Sequence, residues 1–323
     1  MPETDDSTLP VTAADIEAAA ARTAGDLRRT PLWRLPGAAF GVDCAEVWLK
    51  LEQLQRSGSF KARGMFNRLR SAQRDGQLPA AGVVIASGGN AGIAAATAAH
   101  ALGVRCEVFL PEVSSPAKRA ALAALGAELV VTGAAYADAL AACLARQQAT
   151  GALLMHAYDQ PEVVAGAGTL AREVEREAGL PEQVLVSVGG GGLIAGIAAW
   201  VAGRAQVHAL EPPGSPTLHA ALAAGEPVDV EVGGLAADAL GARRIGGIAW
   251  PLCRRFVTTA QLVDDAAILA AQRRLWNDFR LAVEPAAALP LAALAAGLVR
   301  PARHERVLLV VCGANLDPAT LSA

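Results

Sequence analysis

The sequence predicts an α/β protein built on parallel sheet, and three observations predict it. Apolar runs at 82–86 (GVVIA), 184–188 and 307–311 are continuous, as strands buried on both faces of a parallel sheet are. Each run ends at a small polar or glycine-rich turn: Ser87-Gly88-Gly89-Asn90-Ala91-Gly92, Gly189-Gly190-Gly191-Gly192, and Cys312-Gly313-Ala314-Asn315. Helical patterns follow the first two turns at βα spacing. In open α/β sheets ligands collect at the carboxyl ends of strands, so three such ends could converge on one ligand.

The whole-chain properties narrow the class. A length of 323 residues suits one large domain or two closely joined ones. Apolar residues make up 53% and charged ones 18%, a globular composition. The formal charge is −3 and no basic block is present, which argues against nucleic acid or a membrane surface as partner. Gly, Pro and charges interrupt every apolar run before transmembrane length. The amino-terminal stretch MPETDDSTLP is acidic, the reverse of a secretory signal. Cys44, Cys106, Cys143, Cys253 and Cys312 are scattered, with no CxxC or His pairing, so no metal site is expected. The prediction is a reduced, cytoplasmic protein.

Taken in order, residues 1–10 read as a loose tail. A helix over 12–24 follows, capped by Thr12 with Asp15 in its first turn, and Arg29-Thr30-Pro31-Leu32 breaks it. Residues 47–51 form a short strand that leads to the loop QLQRSGSFKARG, and a helix runs to 74. The strand at 82–86 feeds a helix over 93–102. Strand 106–110, helix 116–125, strand 128–131 and helix 136–149 continue the alternation. Residues 156–168 read as a connection, and 169–178 as a helix. Strand 184–188 delivers the tetraglycine turn and a helix over 193–201, and strand 206–210 ends at Glu211. Residues 213–247 read as loops. Helices at 264–275 and 284–298 precede the last strand at 307–311.

Lys61 is the chemical centre of this pattern. Of 28 basic residues only Lys50, Lys61 and Lys118 are lysines. A covalent link to an aldehyde needs a primary amine, which Arg cannot supply. Lys50 fits a strand and Lys118 an amphipathic helix, so both read as structural. The tetraglycine turn lets several N–H groups approach an anion closely, and the following helix adds its positive end. A phosphate suits it. Gly190–Ala195 also matches a dinucleotide fingerprint, with Glu211 placed as a ribose acid; that reading explains neither Lys61 nor the other turns. Ser87–Gly92 suits a carboxylate or, more simply, a helix cap. Cys312 at a strand end could be a small buried hydrophobe.

Together, Ser59-Phe60-Lys61, Ser87-Gly88-Gly89-Asn90, Val163–Thr169, Gly189–Gly192, Glu284-Pro285 and Cys312–Asn315 resemble the fold-type II pyridoxal-phosphate enzymes, tryptophan synthase β-like. The nearest pattern is the serine/threonine dehydratase (ammonia-lyase) and serine racemase group. Order and spacing agree from about Thr12 to Asn315. The resemblance implies two open, twisted α/β domains with pyridoxal 5'-phosphate in the cleft between them. Residues 1–75 and 160–323 would form the large domain, with 76–159 inserted as the small one. It implies a homodimer, and an amino acid as substrate.

The resemblance also implies roles. Lys61 would carry the cofactor and then act as base at the substrate Cα. Phe60 would pack at the ring, Asn90 would bond its hydroxyl, Gly189, Gly190, Gly191 and Gly192 would cradle the phosphate, and Glu284 would line the cofactor site. Cys312 would face the pyridine nitrogen, where a neutral thiol suits elimination better than transamination. Ser87, with the N–H groups of Gly88, Gly89, Asn90 and Ala91, would hold the substrate carboxylate. Tyr136 and Tyr158 would border the substrate side chain, unless they are packed aromatics. The reaction would remove the Cα proton and the β-hydroxyl, giving a 2-oxo acid and ammonia.

Departures from the pattern refine it. Racemases of the group place a second Ser where Gly88 stands, so racemization is disfavoured. Thr217 stands where an acidic cation ligand would be expected beside Glu211, which makes a divalent ion doubtful. The sequence runs eight residues past Asn315, without room for a regulatory domain. L-threonine or L-serine is the expected substrate. The alternatives are racemization, or elimination on a bulkier or acidic 3-hydroxy amino acid that Arg243 and Arg244 could meet. Rival classes are a nicotinamide-dependent oxidoreductase and a non-catalytic amino-acid binder.

Overall fold

Thr12 opens the first helix with a reciprocal cap. Its hydroxyl accepts from Asp15 N, and Asp15 Oδ2 accepts from Thr12 N at 2.8 Å, satisfying two donors that helix geometry leaves orphaned. The computed structural model describes residues 9–317 and Thr320. The expected loose tail, apart from Leu9 and Pro10, lies outside the described residues.

The elements run α1 (Ala13–Arg22), β1 (Leu32–Pro36), β2 (Glu46–Leu51), α2 (Lys61–Arg74), β3 (Val83–Ala86), α3 (Asn90–Ala101), β4 (Cys106–Leu110), α4 (Pro116–Ala124), β5 (Glu128–Val131), α5 (Tyr136–Thr150) and β6 (Leu153–Leu154). They continue with α6 (Pro161–Ala178), β7 (Gln183–Ser187), α7 (Gly192–Val201), β8 (Gln206–Glu211), α8 (Thr217–Ala224), α9 (Ala237–Leu240), α10 (Ala249–Phe256), β9 (Val257–Leu262), α11 (Asp265–Phe279), α12 (Pro285–Ala295) and β10 (Arg306–Val311).

Two sheets result. The larger has the order β1-β2-β10-β7-β8-β9, and the smaller β5-β4-β3-β6. Every pairing is parallel except β1 with β2. The carboxyl ends of β3, β7 and β10 carry the three turns that the sequence singles out. No helix among the described residues is long and apolar enough to cross a membrane.

Three expectations need correction. The helix predicted to start at 169 starts at Pro161, so Val163–Thr169 is helix rather than connection. Its glycines serve close helix packing. A Cβ on Gly166 would fall 2.8 Å from Gly64 Cα, and one on Gly168 would fall 2.7 Å from Gly196 O. Helices α2, α6 and α7 thus meet backbone to backbone, which local propensity does not announce. Second, 213–247 holds α8 and α9 rather than loops alone. Third, α3 begins at Asn90, not at 93, which puts the Asn90 side chain on the helix's first turn. The edge strands β1 and β9 were not anticipated, because their half-exposed residues lack an apolar run.

A buried ionic cluster ties α2 to the larger sheet and α6. Arg63, fully buried, bonds Glu52 at 2.7 Å and Glu173 at 2.7 Å. Lys50, also fully buried, lies 2.8 Å from Glu173 and 2.8 Å from Thr30 O. Removing one member would leave a buried charge uncompensated, at a cost of about 3–5 kcal/mol. This cluster fixes the helix that begins with Lys61. The other face of α2, with Met65, Phe66 and Leu69, packs into the core that also holds Val83, Ile85 and Val108 of the smaller sheet.

Candidate active site

The loop before Lys61 is zipped onto the end of β10. Phe60 N donates to Cys312 O at 3.0 Å, and Ala314 N donates to Gly58 O at 2.9 Å. Ser57 and Gly58 both turn with positive φ, 64° and 71°. Asn315 locks the junction, donating through Nδ2 to Ser57 O at 2.8 Å and to Asn90 Oδ1 at 2.6 Å. One side chain therefore joins the Lys61 loop, the β10 end and the first turn of α3.

Lys61 Nζ donates to Ala157 O at 2.7 Å and lies 5.0 Å from the Phe60 ring centroid. Desolvation pushes its pKa down to about 8, against smaller opposing effects of Cys312 and Glu284. An amine of that kind is neutral for much of the time near pH 8, as a nucleophile or base must be.

Glu284, the residue before α12, is nearly fully buried; its two carboxylate oxygens lie 2.8 and 2.9 Å from Asn90 Nδ2, which donates to them, and the Asn315 backbone N–H donates to the same carboxylate. Burial raises its pKa to about 7. Cys312 is buried too, and burial raises its thiol well above the ordinary value, so it is a neutral S–H. Phe60, Lys61, Asn90, Gly189, Gly190, Gly191, Gly192, Glu284, Cys312 and Tyr158 line one cleft. All the residues expected at the cofactor are thereby brought together.

The tetraglycine turn has the form of an anion seat. No partner is found among the described residues for the N–H groups of Gly189, Gly190 and Gly191, although Gly189 and Gly191 are buried. Gly192 opens α7, where the N–H has no intrahelical partner. Gly191 has φ +87°, and a Cβ there would fall 2.5 Å from Ile245 Cδ1. Unpaired buried donors at a helix start, beside an enclosed amine and a neutral thiol, fit a phosphate attached to an aromatic aldehyde. The residues lining the cleft enclose a small cavity of about 40 Å³. Tyr158 packs against the glycine turn and edge-on to His156, ring centroids 4.7 Å apart, with its hydroxyl 3.5 Å from Arg244 O.

The turn after β3 is softer. Ser87, Gly88, Gly89 and Asn90 are half-buried. Ser87 Oγ accepts only weakly from Gly89 N, at 3.4 Å. Asn90 and Ala91 open α3 and leave N–H groups for an anion. A Cβ on Gly88 would meet Leu110 Cδ2 at 3.0 Å and Ser114 Oγ at 3.5 Å.

Tyr136 stands apart from this cleft's lining: it is 54% exposed at the start of α5. Arg244 pairs with Asp229 at 3.2 Å on an exposed surface. Glu211 turns both carboxylate oxygens to the start of α8, accepting from Leu218 N at 2.7 Å and His219 N at 2.8 Å.

Sequence reasoning missed Asp159 and Asp238. Asp159 accepts from Gly247 N and Ile248 N, both at 2.9 Å, and so holds the segment that covers the glycine turn. Asp238 reaches Lys118 of α4 at 3.0 Å, so the lysine read as purely structural spans the cleft. The one legible signal was the scarcity of lysine; nothing local marked the acids.

Fold and cleft define an α/β enzyme that seats a phosphorylated aldehyde beside a desolvated amine. The chain belongs to the pyridoxal-phosphate dependent enzyme family, whose model matches residues 24–313. It is 38% identical over 279 residues to an L-threonine ammonia-lyase of Geobacter sulfurreducens, covering 85% of this chain and 69% of that protein. It is 35% identical over 333 residues to a phenylserine dehydratase of Ralstonia pickettii, covering 100% and 98%. Among solved structures, maize serine racemase superposes with TM-score 0.89 at 28% identity, over 97% of this chain and 96% of that one. The fold-type II architecture and the pyridoxal-phosphate cofactor expected from the sequence are thus shown.

Proposed function

We propose that this enzyme eliminates water from a β-hydroxy amino acid and releases a 2-oxo acid and ammonia. L-threonine, L-serine and a 3-aryl serine are the substrates to rank. The observation that carries the reading is the half-buried, largely desolvated Lys61 amine, lining one cleft with the glycine turn that follows β7 and with Asn90 of the turn that follows β3. The dehydratase names of the two relatives support it.

In this reading Gly189 to Gly192 hold the cofactor phosphate, Phe60 flanks the ring, and Asn90, itself held by Glu284, meets the ring hydroxyl. Bound pyridoxal phosphate supplies the electron sink that makes the substrate Cα–H acidic. Ser87 and the N–H groups of Gly88 to Ala91 grip the substrate carboxylate. Lys61 Nζ takes the Cα proton, and its lowered pKa keeps it available as the base. The β-hydroxyl leaves as water, taking up one proton for the one that Lys61 removed from Cα, and the enamine product is hydrolysed to the 2-oxo acid and ammonia, so one water is lost and one regained. The Cys312 thiol, kept protonated by burial, gives the ring nitrogen a neutral neighbour, which favours elimination over transamination. Tyr158 borders the substrate side chain; Tyr136 would do so only from the cleft mouth.

The racemase neighbour supports a second reading, racemization. It needs a second acid–base group on the face opposite Lys61, and Gly88 has no side chain to offer. We also read the chain as a cytoplasmic homodimer, with 76–159 as a small domain inserted between 1–75 and 160–323.

The test is 2-oxo acid release from L-serine, L-threonine, phenylserine and 3-hydroxyaspartate by the pyridoxal-phosphate-loaded protein. Turnover of one or more of them, lost in Lys61→Ala, is expected. Racemization of an amino acid without oxo-acid release would overturn the dehydratase reading and keep the cofactor.

A further inference from the structure

The seat for the phosphate is held from behind by residues that do not touch the cleft. Thr217 Oγ1 lies 2.5 Å from Gly189 O and 3.1 Å from Glu211 Oε1. Thr217 and Glu211 are both fully buried. Glu211 in turn holds the first turn of α8 through Leu218 N and His219 N. On the next peptide, Gly190 O accepts from Gly246 N at 3.0 Å.

Peptide planarity turns these contacts into an orientation. In a trans peptide the C=O and the following N–H point in opposite directions. A Gly189 carbonyl drawn toward Thr217 therefore directs Gly190 N–H the other way, into the cleft. A Gly190 carbonyl drawn toward Gly246 does the same for Gly191 N–H. Glycine allows many other orientations of these peptides, so without such contacts the donors would have to be ordered by the ligand. A carboxylate buried behind an anion seat is costly. The two backbone donors, Leu218 N and His219 N, offset that cost and make Glu211 a rigid support for the turn that carries Thr217.

We propose that Thr217 and Glu211 are positioning residues that preset the phosphate seat, turning the Gly189–Gly190 peptide so that its N–H faces the cofactor before it arrives. The effect falls on the phosphate alone. This rests on the placement of the phosphate at Gly189–Gly192 and is independent of which amino acid the enzyme transforms.

The test compares the apo-protein's affinity for pyridoxal phosphate with that for pyridoxal, read from the visible absorbance of the bound cofactor. Wild type should bind the phosphorylated form far more tightly. Thr217→Val should weaken pyridoxal phosphate about tenfold, the loss of one well-oriented buried hydrogen bond, and leave pyridoxal unchanged. Thr217→Ser should restore the wild-type value to within about twofold. Should the valine variant not fold, Glu211→Gln gives the same comparison with the same sign. Equal loss for both cofactors would mean a merely structural role and overturn the proposal, as would no loss in a folded variant. A wild type that does not discriminate the two cofactors would instead overturn the phosphate placement itself.

Discussion

The two glycine-rich turns do opposite jobs with similar residues. The turn after β7 is mostly buried, and its first two carbonyls are held by Thr217 and Gly246. The turn after β3 is half-buried: Gly89 N reaches Ser87 Oγ only at 3.4 Å, and its firm side-chain contacts are those of Asn90, to Glu284 at 2.8 Å and from Asn315 at 2.6 Å. The first is held through its backbone carbonyls, the second chiefly through the side chain of Asn90. A cofactor that stays through many turnovers suits the first wall, where preorganisation costs nothing per cycle. A substrate that enters and leaves suits the wall whose Ser87–Gly89 segment is held more lightly.

The largest expected effect removes the amine that both walls serve. Lys61→Ala should lower elimination by on the order of 10³-fold or more, measured as 2-oxo acid release, while the folded far-ultraviolet spectrum is retained. Next come alanines in the two walls. Gly191→Ala forces a positive φ of +87° on a residue with a Cβ and pushes that atom toward Ile245. Strain of about 1–3 kcal/mol should weaken pyridoxal phosphate by about 5- to 150-fold. Gly88→Ala needs no such φ, and its Cβ meets Leu110 at 3.0 Å. It should raise KM for the amino acid and leave cofactor affinity within about twofold. If both variants lose the cofactor equally, the contrast between the walls fails.

The pH dependence sharpens the same contrast. Burial holds the Lys61 amine at a pKa of about 8. The charged form prevails below that value and the reactive neutral form above it. The rate at which apo-protein captures pyridoxal phosphate should therefore rise as pH passes upward through about 8, then level off. A rate that keeps rising toward pH 10 would mean an ordinary exposed lysine. The smallest effect belongs to the contact across the cleft. Lys118 and Asp238 lie 3.0 Å apart with side chains 37% and 84% exposed, so their pair contributes about 0.2–1 kcal/mol. Lys118→Ala should change KM by less than about fivefold and leave cofactor affinity alone.

What was legible in the sequence was the fixed machinery. Buried parallel strands at 82–86 and 184–188 declare themselves as unbroken apolar runs, and the turns at their ends declare themselves by glycine. Lys61 stood out because the chain otherwise uses arginine. Less legible was whatever depends on contacts distant in sequence. Gly166 and Gly168 looked like a connection because their purpose, admitting α2 and α7, lies on other helices. Asp159 supports a segment some ninety residues away. Glu211 looked like a ligand-binding acid, yet both its oxygens serve α8. Tyr136 and Tyr158 could not be told apart in sequence, and only Tyr158 lines the cleft.

The most direct measurement is to load the protein with pyridoxal phosphate, reduce it with borohydride to make any cofactor–amine link permanent, and map the modified peptide by mass spectrometry. Only three lysines compete, so the answer is unambiguous. Modification at Lys61 alone, absent in Lys61→Ala, is the predicted result. Modification at Lys50 or Lys118 with Lys61 unmodified would contradict the account.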